Sequence, residues 1–130
     1  MLPTVLKVVS PVFLLIGIGH LIFGVGADVQ LGAIVSAQSL TDPVLDSQNR
    51  FYGVIFTVYG ALLYLAATDL KRYSPVVKVL LWIFFAGGAA RLVSVGVVGL
   101  PTTFVLVLTA LELILPPPML IWLTRYERES

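Results

Sequence analysis

The chain has 130 residues, 58% of them hydrophobic and 12% charged, with eight Lys or Arg against seven Asp or Glu. Soluble domains average roughly a quarter charged residues, so a mean hydropathy of +1.02 excludes a water-exposed globule and makes a bilayer the natural solvent. The lack of cysteine excludes disulfides, thiolate metal sites and thiol redox chemistry, and a net charge of +1 with no basic stripe argues against nucleic acid as a partner.

The first apolar stretch runs over Pro3–Val25, close to the ~20 residues that cross a hydrocarbon core of ~30 Å. Small residues at Gly24, Val25, Gly26 and Ala27 before Asp28 resemble a secretory cleavage site, but the weakly charged start of the chain favours a retained span. A long connection follows over residues 28–49, where Ile34, Val35, Leu40, Val44 and Leu45 alternate with polar residues. That mixture predicts partial order at the membrane surface.

The second apolar stretch is Phe51–Ala67, followed by a polar turn holding Asp69, Lys71, Arg72 and Pro75. The third, Val76–Val98, ends in a tight Gly99-Leu100-Pro101 connection to the fourth, Thr103–Leu123. Pro116, Pro117 and Pro118 interrupt the fourth stretch and deprive the carbonyls of Glu112, Leu113 and Ile114 of their helical donors. A break is predicted there, turned toward protein rather than lipid. The fold class is therefore all-α, a single four-transmembrane-helix bundle over residues 1–130.

Four spans put both termini and the second connection on one face. That face carries Lys7, Lys71, Arg72, Lys78, Arg125 and Arg128 against Arg50 on the other, and the positive-inside rule makes it cytoplasmic. The expected location is a cell inner membrane, multi-pass, N-in and C-in, with residues 28–49 outside.

Ionisable residues inside spans are costly and normally face an interior and pair. Three occur, His20, Arg91 and Glu112, and counting along the helices places all three in the outer half of the membrane, with Arg50 above them. These four form the candidate ligand-binding set. Asn49, Tyr52, Gly53, Thr57 and Ser94 share helix faces with or adjoin them as supporting residues. Gly17 and Gly24 flank His20, and Gly87 precedes Arg91, so small residues accompany each charge as helix contacts require. His20 has no second His or carboxylate at ligand spacing on its own helix, which points to a hydrogen-bonded histidine and to no metal site. An Arg91–Glu112 pair serves equally well as a structural rung.

The stretches RFYGVIFTVYGALLYLAA, GGAARLVSVGVVGLP and ALELILPP resemble a family of small four-helix bacterial membrane proteins known as a domain of unknown function. The resemblance covers the last three helices and implies shared roles for Arg50, Gly53, Gly60, Arg91, Gly99 and Glu112. The family's third-helix turn often has an acidic residue before its glycine, where this chain has Val98. A looser likeness, in architecture, extends to DoxX-type proteins and sterol-isomerase-like four-helix domains, and architecture alone carries little functional weight.

Three function classes remain open on these residues. The first is binding or translocation of a small amphipathic or lipid-like molecule at the polar layer, with Arg91 and Glu112 at its floor and Arg50 at its entrance. The second is an accessory subunit of a larger membrane complex, and the third an isomerase-like enzyme using Glu112 and His20 as acid and base. No catalytic set and no cofactor are assigned. The expected partners are the lipid bilayer, a small amphipathic ligand, and a second copy of the chain or a larger assembly.

Overall fold

A computed structural model describes residues 1–129. Seven helices account for nearly all of them: α1 (Leu2–Phe23), α2 (Val25–Gln30), α3 (Ala37–Thr41), α4 (Pro43–Thr68), α5 (Leu70–Val98), α6 (Thr103–Ile114) and α7 (Pro116–Glu129). The described residues contain no strand. Four helical segments are long and apolar enough to cross a membrane: α1, α4, α5, and α6 with α7 taken together. The chain divides into two compact units, one over Pro3–Leu65 and the other from Ala66 onward.

In the first unit, α1 and α4 run antiparallel along a seam of small residues. A Cβ added to Gly17 would fall 2.7 Å from the Gly53 carbonyl oxygen, and one on Gly53 would fall 2.7 Å from that of Gly17. One on Gly60 would lie 2.8 Å from the Ser10 oxygen. Ser10 and Gly17 on one helix thus meet Gly60 and Gly53 on the other at heptad spacing. The backbones touch there, which is how membrane helices associate where apolar burial offers no drive. Phe13 fills the space between these contacts, its ring 4.7 Å from Tyr59 and 6.4 Å from Phe56. Pro11 lies inside α1 and has no N–H for the Lys7 carbonyl. The Ser10 hydroxyl donates to that carbonyl instead, at 3.2 Å.

Residues 28–49 are more helical than their composition indicates. Besides α2 and α3, the first two turns of α4 lie in this segment, so α4 begins well before the apolar run at Phe51. Asp42 explains the start: its carboxylate accepts from the backbone N–H of Val44 at 2.8 Å and of Leu45 at 3.1 Å, and Pro43 supplies a helical φ at the first position. α3 is capped in the same manner, Ser36 Oγ accepting from Ser39 N–H.

In the second unit, α5 packs along both α6 and α7. The polar turn expected over Asp69–Pro75 contracts to Asp69, whose side chain caps α5 by accepting from Arg72 N–H at 3.2 Å. Gly99 ends α5 with φ of 111°, a conformation suited to glycine. The expected break in the fourth span falls at Leu115, between α6 and α7. Leu115 N–H still reaches Leu111 O, and the next backbone donor, Met119 N–H, reaches Leu115 O, which leaves the three intervening carbonyls without i+4 donors. Pro116 is buried, whereas Pro117 and Pro118 are exposed.

Candidate functional site

The predicted site residues fall into two clusters, one in each unit. In the first unit His20 and Arg50 gather at the end of α1. Gly24 stops that helix with φ of 56° and ψ of −128°, its N–H reaching His20 O. The turn costs Leu21 and Ile22 their helical donors, and Arg50 replaces them: its Nη1 donates to Leu21 O at 2.6 Å and to Ile22 O at 3.3 Å. Its Nε donates to Asp46 Oδ2 at 2.8 Å, one helical turn back on α4. A cation at the negative end of a helix is favourably placed. Arg50 is therefore a cap for α1, its donors committed to backbone and to Asp46.

His20 is buried in the last turn of α1. Its Nδ1 donates to the Ile16 carbonyl at 2.8 Å, and its Nε2 lies 3.1 Å from Asp28 Oδ1. A carbonyl only accepts. Nδ1 is therefore the nitrogen that donates to Ile16, and Nε2 is the one turned toward Asp28. Asp28 comes from α2, which the Gly24 turn folds back over His20. A search for ligands on the histidine's own helix misses it, since its partner is eight residues away across a helix boundary.

The second cluster is the one the sequence predicts as a pair. Arg91 Nε donates to Glu112 Oε2 at 2.9 Å, joining α5 to α6. Arg91 lies about 10 Å from the Val98 end of α5 and Glu112 about 14 Å from the start of α6, at ~1.5 Å per residue. Gly88, one turn before Arg91, permits this approach: a Cβ there would lie 2.9 Å from Glu112 Cβ. The Glu112 side chain is 10% exposed and that of Arg91 37%. Glu112 occupies one guanidinium nitrogen, and among the described residues Nη1 and Nη2 have no partner. An arginine carries five N–H donors, four of them on these two atoms.

The supporting residues divide similarly. Gly53 belongs to the α1–α4 seam, and Thr57 Oγ1 donates to the Gly53 carbonyl at 2.7 Å within α4. Asn49 donates to Leu45 O on its own helix. Tyr52 and Ser94 are exposed.

One cluster has no counterpart among the predicted residues. At the opposite end of α5, Lys78 Nζ donates to both Glu127 oxygens at 2.9 Å, and the buried Ser74 hydroxyl donates to Glu127 Oε1. Their separation of some fifty residues left no local signal. With Arg91–Glu112 near one end and this triad near the other, α5 is tied to the α6–α7 segment by two polar rungs.

A family profile matches residues 1–123. The chain belongs to that family, described as a domain of unknown function, DUF4345. No curated protein and no solved structure matches it. The match extends over the first helix as well as the three on which the resemblance rested, so the first three long apolar segments of this DUF4345 member and the fourth as far as Leu123 lie within the family's bounds, along with His20, Arg50, Arg91 and Glu112.

Proposed function

We propose that this chain binds a small amphipathic molecule with an anionic head through Arg91, from within a cell inner membrane. The observation that supports it is the uneven commitment of the pair: Glu112 is nearly buried, while Arg91 is more open and keeps both Nη groups unpartnered at a depth where an unpaired charge is costly. A ligand carboxylate or phosphate would meet those groups as a fork, with Glu112 holding the guanidinium in place. The helix break after Glu112 supports the same reading, since discontinuous helices provide backbone groups for substrates in membrane proteins. The proposed orientation, both termini cytoplasmic, rests on the lysine and arginine bias between the two faces.

Mass spectrometry of lipids and small amphiphiles retained by protein purified in mild detergent tests this. Arg91→Gln lowers retention of the anionic species roughly tenfold, the scale of a charged hydrogen bond of about 1.5–3 kcal/mol. Glu112→Gln, whose amide oxygen still accepts from Nε, keeps the fork in place and leaves retention nearly unchanged. A purely structural rung predicts a different pattern: both single variants reduce folded yield, neither changes what is retained, and Arg91→Leu with Glu112→Leu together recovers folding. Co-purification of one stoichiometric protein partner would instead favour the accessory-subunit reading.

A further inference from the structure

The proline break leaves a cleft of about 110 Å³ between α5 and α7, lined by Trp82, Phe85, Pro116, Pro117 and Leu120. The Trp82 and Phe85 rings meet edge to face, centroids 6.0 Å apart, and form a stiff wall. Leu120 also belongs to an open depression along one face of α7 that continues through Ile121 and Thr124 to Arg125 and Arg128. The apolar cleft and the basic depression thus share a residue and make one track.

Its dimensions and charge identify what lies in it. Pro116 to Arg125 spans about 14 Å along the helix at ~1.5 Å per residue, close to half of a ~30 Å hydrocarbon core. That is the reach of one acyl chain. At the polar end two acids flank the arginines: Glu127 is already engaged by Lys78 and Ser74, and Glu129 is exposed. Among the described residues neither Arg125 nor Arg128 is in an ion pair, and both are exposed. Two guanidinium groups at the end of an apolar track complement a phosphate at the end of a hydrocarbon chain.

We infer that this track on α7 seats one anionic phospholipid, its phosphate on Arg125 and Arg128 and an acyl chain over Leu120 into the cleft beside Trp82. The site is separate from Arg91 and stands whether or not Arg91 binds a ligand. It differs from general attraction of a basic end to an anionic leaflet in placing one lipid's chain against one tryptophan.

The chain has two tryptophans, so Trp122→Phe leaves Trp82 as a single reporter. That variant is reconstituted in phosphatidylcholine bilayers holding a small fixed fraction of phosphatidylglycerol, with one of the two lipids brominated in its acyl chains at equal mole fraction. Brominated phosphatidylglycerol is expected to occupy the site several-fold beyond its mole fraction and to quench Trp82 accordingly, while brominated phosphatidylcholine quenches only as its share of the bilayer dictates. At about fivefold per basic residue, Arg125→Gln removes most of the excess and Arg125→Gln with Arg128→Gln removes all of it. Arg72→Gln, which takes one charge from the start of α5 near the same end, leaves the excess in place. Equal quenching by the two lipids overturns the inference, as does an Arg72→Gln effect as large as that of Arg125→Gln. The lipid comparison in the Trp122→Phe chain decides the matter alone should the arginine variants fail to fold.

Discussion

Gly24 serves two purposes at once. Its φ of 56° with ψ of −128° lies in a region that side chains strain to enter, and an added Cβ would press on the Asp46 carboxylate, 3.0 Å from its Cγ. Gly24→Ala is expected to lower stability by about 1–3 kcal/mol, read as a depressed unfolding midpoint in detergent. Gly19, five residues earlier in α1, has nothing within 4 Å of its would-be Cβ. Gly19→Ala should stabilise by about 0.5–1 kcal/mol through the helix backbone alone. Equal effects at the two positions would mean that Gly24 is an ordinary helix end. Residues of this kind show where the sequence is legible. The Arg91–Glu112 contact follows from the cost of an unpaired charge in hydrocarbon, so composition and depth suffice to anticipate it. The His20–Asp28 contact does not follow, because it depends on a backbone turn that glycine permits but does not announce.

Among the elements, the number and order of the four long apolar helices are read from the sequence, because length and hydropathy mark a helix able to cross hydrocarbon. The helices run beyond the apolar stretches, α4 starting at Pro43 rather than Phe51, α5 at Leu70 rather than Val76, and α7 ending at Glu129 rather than Leu123. Polar helix has no such marker. The outer turns of α4 contain Asp46, Ser47, Gln48, Asn49 and Arg50 and look like loop by composition; their signals are the Asp42-Pro43 start and the Asp46–Arg50 spacing, both local and easily passed over. Asp42→Ala tests the cap that makes this helix. Loss of two backbone acceptor contacts is expected to destabilise the first turn by about 0.5–2 kcal/mol, seen as faster hydrogen exchange at Val44 and Leu45 with exchange in α1 unchanged. Unaltered exchange at those amides would assign the helix start to Pro43 alone. The break at Leu115 shows the reverse situation: three consecutive prolines leave no choice of backbone, so the feature is certain from sequence while the cleft it opens beside Trp82 is not.

For the whole chain, four crossings follow from composition, whereas the division into two compact units does not, since each seam is made from the same glycine and alanine vocabulary that membrane helices use everywhere. The proposed orientation makes a sharp statement about accessibility. With an impermeant thiol reagent on intact cells, Asp42→Cys should label and Lys71→Cys should label only after the membrane is opened; the chain's own lack of cysteine makes the background clean. The opposite pattern would invert the orientation and put the Arg125 end of α7 on the outside.

The Arg91–Glu112 rung also has a history within each molecule's synthesis. The two residues are 21 positions apart, and at ~5–20 residues per second Arg91 is made about 1–4 s before its partner exists. A lone arginine inside a span costs up to about 2.5–3.5 kcal/mol on insertion, and α5 enters with a charge whose partner in the folded chain lies on the next helix. The short connection from Gly99 to Thr102 provides the remedy, because it lets α6 follow at once and the two helices partition as a hairpin with their charges already joined. The order of translation thereby makes α5 and α6 a single unit of insertion, and a ribosome stalled between them would leave the cell holding a helix that the membrane has reason to refuse.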